Sequence, residues 1–191
     1  MKVLKFGGTS VGSADSILLV KEIIQERLKG ENLMVVVSAL GGVTSKLVDC
    51  AHQASYGNRT YESTLNELEE RHIKLVTQLI GKDSSEKQRA KIISKFKDLK
   101  DLLQGVYFVK ELSTKVTDSI LSYGELLSSY IIHEYLISEN IDNDLMNPRK
   151  VIITDNNFGK ANVDFEATNI NINAYAKEAK SLVIVPGFVS G

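Results

Sequence analysis

The chain opens with a unit that occurs twice: a short apolar segment, a loop containing two adjacent glycines, and then a helical pattern. The first apolar segment runs from Val3 to Phe6 and is followed by Gly7-Gly8-Thr9-Ser10. The second runs from Leu33 to Val37 and is followed by Ala39-Leu40-Gly41-Gly42-Val43. Apolar residues recur at helical spacing after each loop, from near Ser13 in the first unit. Apolar strands that alternate with helices predict an α/β fold whose mostly parallel sheet is covered by helices on both faces.

A pair of charged amphipathic helices interrupts this pattern over about residues 60–106. The turn between them contains Gly81, and Asp83 and Glu86 have the spacing of a capping box. We therefore expect a helical hairpin, inserted in the α/β body, with a scaffolding role. The rest of the chain predicts a buried helix over 117–138, strands near 142–145, 151–153 and 182–185, and a short helix over 174–180.

The balance of charge excludes several classes of partner. Twenty-three basic residues stand against twenty-four acidic ones, a net charge of −1, so no overall field draws the chain to nucleic acid or to an anionic membrane. The longest apolar runs, such as Leu33 to Val37, are too short to cross a bilayer, and residues 1–5 do not form a secretory signal. We expect a cytoplasmic protein that binds any anion through local groups.

Cysteine and histidine offer no metal site. Cys50 is the only cysteine, which excludes an internal disulfide and a site with several thiolates. It lies in an apolar helical segment, so we expect a buried structural thiol. His52, His72 and His133 have no partner histidine at ligand spacing, and we expect them to be structural.

The first glycine loop has the composition of a phosphate-binding turn. In an open parallel sheet, ligands bind at the carboxyl ends of the strands, where loops enter helices. Gly7 and Gly8 let the backbone approach a phosphate closely, and Lys5 on the preceding strand adds a positive charge. The spacing is neither that of a Walker loop nor that of a dinucleotide-binding fold. On these residues alone, an ordinary tight turn beside a surface lysine explains the loop better than a phosphate site.

The whole string Lys5-Phe6-Gly7-Gly8-Thr9-Ser10-Val11 resembles the signature of aspartate kinases, within the amino acid kinase family. Four later segments are similar to segments of that family and occur in the same order, so the resemblance covers residues 1–191. Within one of them, Asn147 stands where an aspartate is usual. The four segments are 37–44, 122–128, 147–155 and 185–191.

The resemblance implies a role for each matching residue. Lys5 would neutralise charge on a transferring phosphoryl group, while the aspartate substrate would lie between two loops and a buried helix. The implied phosphate-binding residues are Gly7, Gly8, Thr9 and Ser10, and the implied aspartate-binding residues are Ser38, Thr44, Glu125 and Phe188.

Taken without the resemblance, these residues allow other interpretations. Thr44 is equally well placed to be a helix N-cap, and Ser38 to be a hydroxyl at the end of a strand. Glu125 shares a helical stripe with apolar and small residues, so its carboxylate should be partly desolvated unless it is paired, and an ammonium group would suit it. Arg149 is either a structural ion-pair residue or a residue of the site, and both interpretations stay open.

By resemblance, the parent enzyme would transfer the γ-phosphoryl group of Mg-ATP to the β-carboxylate of L-aspartate, at the head of lysine, threonine and methionine synthesis. The family's Gly-Arg-Gly-Gly-Ser-Asp and Thr-Asp-Val-x-Gly motifs do not occur before Gly191, and neither do its regulatory ACT domains. We therefore expect a truncated kinase domain: residues 1–191 would form its amino-terminal part, without the ATP-binding half. Alone, this part would bind no cofactor tightly and would be inactive. Dimers are common in the intact family, so a homo-oligomer is expected.

Two other functions compete with this interpretation. One is a different amino acid kinase, acting on glutamate, acetylglutamate, carbamate or uridylate, since these share a lysine and paired glycines near the first strand. The other is a non-catalytic fragment that mediates assembly. The helical hairpin resembles that of the longer aspartate kinases, including those fused to a homoserine dehydrogenase, and does not distinguish between them.

Overall fold

A computed structural model describes residues 1–191. Its four strands and six helices follow in the order expected for an α/β fold. The strands are β1 (Lys2–Phe6), β2 (Leu33–Val37), β3 (Asp144–Leu145) and β4 (Leu182–Pro186). The helices are α1 (Ala14–Leu28), α2 (Val43–Ser55), α3 (Tyr61–Ile80), α4 (Glu86–Val109), α5 (Thr114–Ser138) and α6 (Phe165–Glu178).

All four strands are parallel and form one sheet in the order β1-β2-β4-β3. β2 and β4 are central and apolar, as expected for strands that are buried on both faces. β1 is an edge strand, and the Val3 side chain is 63% exposed because no helix covers that part of the sheet. The predicted parallel α/β fold is confirmed.

Helices lie on both faces of the sheet. The larger core forms on one face, where α1 and α5 pack against the central strands at alternate residues such as Val35 and Ile184, and α2 packs on α5. A smaller cluster forms on the other face, where Ile172 and Tyr175 of α6 pack near Val183. Because successive strand residues point to opposite faces, the continuous apolar sequence of the central strands supplies both cores.

The predicted hairpin is confirmed as α3 and α4, which pack against each other and against α2 and α5. Its expected capping box is wrong. α4 begins after Ser85, and no side chain caps it, so Asp83 lies outside the helix start. The buried residues of the hairpin form two stripes, which are Tyr61, Leu65, Leu68, His72, Leu75 and Val76 on α3, and Ile92, Phe96, Leu99, Leu103 and Val106 on α4.

The segment 147–179 departs most from the sequence-based expectation. A 3-10 helix over Pro148–Lys150 occupies the approach to the expected strand at 151–153, and Asn147 caps it by accepting a hydrogen bond from the Arg149 N–H at 3.2 Å. The only strand-like pairing here is an antiparallel bridge between Thr154 and Val163. Helix α6 is much longer than the predicted 174–180, because Asp164 provides an N-cap ten residues earlier. No helix combines the length and apolar composition that crossing a bilayer requires.

Candidate active site at the carboxyl edge of the sheet

Three strand ends lie side by side at one edge of the sheet. Phe6 of β1, Val37 of β2 and Pro186 of β4 are in register. The pairing continues into the loops, because Ser38 N–H donates to the Phe6 carbonyl at 3.1 Å and Gly187 N–H donates to the Val37 carbonyl at 2.9 Å. Three of the segments singled out from the sequence therefore begin next to one another.

The two glycine loops pack backbone against backbone. Gly41 N–H donates to the Gly8 carbonyl at 2.9 Å. A Cβ atom on Gly8 would lie 2.9 Å from the Ala39 carbonyl oxygen, and one on Gly12 would lie 3.0 Å from the Gly8 carbonyl oxygen. Only glycine allows such an approach, so the pairs of glycines in the sequence fix the distance between the loops.

The first loop presents unused hydrogen-bond donors. Gly7, Gly8 and Thr9 donate no backbone hydrogen bond within the protein, and nothing lies within 4 Å of the position that a Cβ atom on Gly7 would take. Ser10 N–H is the exception, since it closes the turn on the Gly7 carbonyl at 2.9 Å. Successive free N–H groups of this kind form a concavity that suits an anion.

The ammonium group of Lys5 is also uncommitted. Lys5 is exposed near the carboxyl end of β1 and forms no ion pair or side-chain hydrogen bond. It is in register with Val36, so it lies on the face of the sheet opposite to α5. Lys5 and the buried helix thus approach the carboxyl edge of the sheet from opposite faces.

Helix α5 reaches the loop after β2 at Gly124. A Cβ atom on Gly124 would lie 2.7 Å from the Cβ atom of Ala39, so the helix touches the loop directly. One turn further on, the Ser128 hydroxyl donates to the Ser38 carbonyl at 2.7 Å. These two contacts place the intervening Glu125 at the loop.

Glu125 is a buried carboxylate with an unsatisfied oxygen. Its residue is 8% exposed, and Oε2 has no hydrogen-bond partner. Burial raises the pKa of Glu125 above its ordinary value, while the backbone N–H groups of Ala39 and of Glu125 itself act in the opposite direction. A buried carboxylate without a partner costs free energy, so this group is suited to a cationic ligand that the protein itself does not provide.

Ser38 and Thr44 belong to the second glycine loop and to the start of α2, which follows it. Ser38 is half-buried at the end of β2, and its side chain makes no hydrogen bond within the protein. Thr44 is exposed in the first turn of α2. The N-cap interpretation of Thr44 is wrong, because α2 begins after Gly42, which has a φ of 80° and no side-chain cap. Both hydroxyls are therefore available to a ligand.

Phe188 follows β4 with a strained backbone. Its φ is 61°, in the left-handed region that bulky residues rarely adopt, and its side chain is 62% exposed. Strain of this kind costs about 1–3 kcal/mol and is concentrated at ligand-binding positions. Phe188 also lines a cavity of about 530 Å³ that lies between α5, the 3-10 helix and the segment 154–163.

That cavity does not join all the predicted site residues. It is lined by Arg149 and Phe188 but by none of Lys5, Ser38 or Glu125. Arg149 donates to the Ser122 hydroxyl at 3.0 Å and forms no salt bridge, so the ion-pair interpretation of this residue is wrong. The structure brings Arg149 and Phe188 together on one side of α5, and groups the glycine loops with Glu125 at the sheet edge.

Arg71 is a residue that the sequence analysis missed. It belongs to α3 of the inserted hairpin, yet its guanidinium donates to the Gly41 carbonyl at 2.8 Å and to the Gly12 carbonyl at 3.1 Å. In the sequence it is one of many charged residues on an amphipathic helix, and no spacing marks it. Only the packing of the hairpin on the α/β body brings it to the loops.

The parallel sheet therefore carries free N–H groups, an unpaired lysine and an unpaired buried carboxylate at its carboxyl edge. The sequence profile of the amino acid kinase family matches residues 1–191. The chain therefore belongs to the amino acid kinase family.

The chain is similar to aspartokinases within that family. It is 31% identical over its whole length to a bifunctional aspartokinase/homoserine dehydrogenase of Buchnera aphidicola, and 33% identical over 98% of its length to an aspartokinase of Chlamydia trachomatis. It covers 24% of the first protein and 39% of the second, so it spans less than half the length of either relative.

Solved structures agree with this similarity. The fold matches E. coli aspartokinase III in complex with lysine and aspartate, with a TM-score of 0.84 and 26% sequence identity. The match covers 99% of this chain and 41% of that one. The same enzyme in complex with aspartate and ADP matches equally well.

Proposed function

We propose that residues 1–191 form the amino-terminal, aspartate-binding part of an aspartate kinase, which phosphorylates the β-carboxylate of L-aspartate. The observation that carries this proposal is the buried carboxylate of Glu125, whose Oε2 atom has no partner beside the loop after β2. An enzyme for an amino acid needs an anion that pairs with the substrate's ammonium group. Glu125 supplies that anion where two loops and a helix meet.

The acceptor side of the reaction follows from this placement. The Glu125 carboxylate would accept hydrogen bonds from the α-ammonium group of aspartate, and its burial strengthens that ion pair. The hydroxyls of Ser38 and Thr44 would donate to substrate oxygens, and Phe188 would form an apolar wall. Holding aspartate at several points fixes the β-carboxylate for in-line attack, which is the main task in phosphoryl transfer.

The donor side would involve the first loop. When bound, Mg-ATP supplies the phosphoryl group. The free N–H groups of Gly7, Gly8 and Thr9 and the unpaired ammonium of Lys5 fit an anionic group at this place. With the Ser10 hydroxyl, they would stabilise the charge on the phosphoryl oxygens as the bond to the leaving group breaks.

A phosphoryl-transfer assay on a lengthened chain, in which residues 1–191 are joined to the remainder of a kinase domain, tests this proposal. Radiolabelled phosphate should move from ATP to L-aspartate, giving an acyl phosphate that hydroxylamine traps as the hydroxamate. Glutamate, acetylglutamate, carbamate and uridylate are the comparison substrates, because other amino acid kinases act on them. Preferred transfer to any of the four would replace aspartate in the proposal, and transfer to none of the five would end it.

The 191 residues alone are a different case. As part of the same proposal, they carry the aspartate site with the helical insert at about 60–106, and lack the residues that hold most of the nucleotide. We expect no useful turnover by this chain, because phosphoryl transfer needs the donor to be held as firmly as the acceptor. Normal turnover with aspartate and Mg-ATP would contradict this expectation.

A homodimer in the cytoplasm completes the proposal. The exposed edge strand β1 supports self-association, because an unpaired strand offers free backbone groups to another copy. Sedimentation velocity over a range of concentrations would test it. A monomer at all concentrations would count against the dimer and would leave the aspartate site unaffected.

A further inference from the structure

We propose that Arg71 is a positioning residue that clamps the two glycine loops together, and that the inserted hairpin therefore controls the geometry of the site. Arg71 lies on α3, outside every segment that resembles the kinase signature. Its guanidinium reaches across to two loops that are separated by about thirty residues of sequence. The consequence for ligand binding rests on the proposed function, while the clamp itself does not.

The two hydrogen bonds go to different loops. Nη1 donates to the Gly41 carbonyl at 2.8 Å, and Nη2 donates to the Gly12 carbonyl at 3.1 Å. The same loops are already joined by the bond from Gly41 N–H to the Gly8 carbonyl. Arg71 therefore adds two bonds to a contact that otherwise consists of one hydrogen bond and the close packing of glycine backbones.

The glycines make such a clamp necessary. Glycine loses more conformational freedom on folding than any other residue, so loops with Gly7, Gly8, Gly12, Gly41 and Gly42 are costly to hold in one conformation. No side chain of the first loop donates a hydrogen bond to the second loop. Val11, Ala39 and Leu40 anchor the two loops in the core, and Arg71 is the side chain that hydrogen-bonds to both of them.

Arginine has the chemistry that this position needs. Its planar guanidinium presents several donors in a fixed fork, whereas a lysine ammonium is a single point of contact on a flexible stem. Arg71 forms no salt bridge, so both of its donors that reach the loops serve neutral carbonyl groups. Hydrogen bonds from a charged donor are stronger than those between neutral groups.

The clamp also bears on the anion-binding groups. The Gly8 carbonyl points to Gly41, which leaves the N–H groups of Gly7, Gly8 and Thr9 free for a ligand. If the loops separate, these N–H groups lose the position that the contact with Gly41 gives them. We therefore expect Arg71 to act on the site through the loop backbone, without touching a substrate.

Amide hydrogen exchange in the 191-residue chain, measured by NMR, tests the clamp directly. Arg71→Met removes both donors and keeps an unbranched, apolar side chain. We expect the Gly41 amide, which donates to Gly8, to exchange roughly tenfold faster, while the Val35 amide in the central strand is unchanged. Arg71→Lys should give an intermediate rate. Arg89→Met, on α4 of the same hairpin, is the matched control, because the Arg89 side chain makes no hydrogen bond or salt bridge.

Two outcomes overturn the inference. One is an unchanged exchange rate at Gly41 in Arg71→Met. The other is faster exchange at Gly41 and Val35 alike in Arg71→Met, because this result would show that the substitution destabilises the whole fold. The same result in Arg71→Lys would exclude a local role for Arg71. A titration with aspartate separates the two proposals: Arg71→Met should weaken binding about tenfold. If the wild-type chain binds no aspartate, the proposed function fails, while the exchange at Gly41 still decides the role of Arg71.

Discussion

Gly124 on helix α5 and Ala39 in the loop after β2 are in direct contact: a Cβ atom on Gly124 would lie 2.7 Å from the Cβ atom of Ala39. This contact brings the helix to the loop and places Glu125 beside it. The Gly124→Ala variant should therefore push the two apart. We expect a loss of about 1–3 kcal/mol in the free energy of unfolding, which denaturant titration measures.

Gly105→Ala is the matched control for Gly124→Ala. Gly105 lies inside helix α4, is exposed, and has nothing within 4 Å of the position of its Cβ atom. Alanine is the better helix former, so this variant should be more stable than the wild type by about 0.5–1 kcal/mol. Equal effects of the two substitutions would show that Gly124 is not a contact point.

The carboxylate of Glu125 should lower the stability of the free protein. Burial raises the pKa of Glu125 in the folded chain above its unfolded value, so the protonated carboxyl stabilises the fold at low pH. The free energy of unfolding then falls as the pH rises through the folded pKa, because the buried group becomes a carboxylate. Glu125→Gln should accordingly raise the free energy of unfolding at neutral pH, by about 1 kcal/mol. Glu70→Gln, at an exposed position without a salt bridge, should change it little. A less stable Glu125→Gln protein would contradict this account.

His72 should make the protein sensitive to acid. Burial lowers the pKa of His72 to about 4 from an ordinary 6.5, and its Nε2 atom has no hydrogen-bond partner. Between these two pH values the unfolded chain binds a proton that the folded chain excludes. The free energy of unfolding should fall as the pH falls through this window, by up to about 3 kcal/mol.

Denaturant titrations across that pH window test the role of His72. His72→Leu should be less dependent on pH than the wild type, because its side chain cannot bind a proton in either state. The control is His52→Leu, at an exposed position, which should keep the wild-type slope. If His72→Leu keeps the slope as well, another group is responsible for the acid sensitivity.

Cys50 should be inert in the folded protein. It is fully buried and donates to the Tyr61 carbonyl at 3.7 Å, and burial raises the pKa of its thiol to about 11. Only the thiolate reacts with disulfide reagents, so Cys50 should not be labelled at mildly alkaline pH until denaturant is added. Rapid labelling without denaturant would show that helix α2 opens in the native state.

Periodicity predicted the elements whose apolar residues face one core. Together with short apolar runs, it located β1, β2, β4, α1 and the two hairpin helices to within a few residues, because a buried strand leaves an apolar run in the sequence and a helix that packs on a core leaves a period of 3.6. It failed over residues 147–179. There, the side chains of Asn147 and Asp164 accept local hydrogen bonds that determine the backbone, and α6 has only one buried residue, Thr168.

The candidate site divides in the same way. The glycine pairs, Lys5 and Glu125 were visible in the sequence because their chemistry depends on residue type and spacing. Arg71 was not visible, because its role comes from the packing of the hairpin against loops far away in the sequence. The same holds for the close contact at Gly124, which depends on the position of Ala39.

Calorimetric titration of the 191-residue chain with L-aspartate tests whether Glu125 binds the ammonium group of the substrate. We expect aspartate to bind to the wild type, and to bind about tenfold more weakly to Glu125→Gln, which keeps the shape of the side chain and removes its charge. Succinate, which lacks the ammonium group, should bind weakly to both proteins. Equal affinity of aspartate for the wild type and for Glu125→Gln, or no binding to the wild type, would contradict the account.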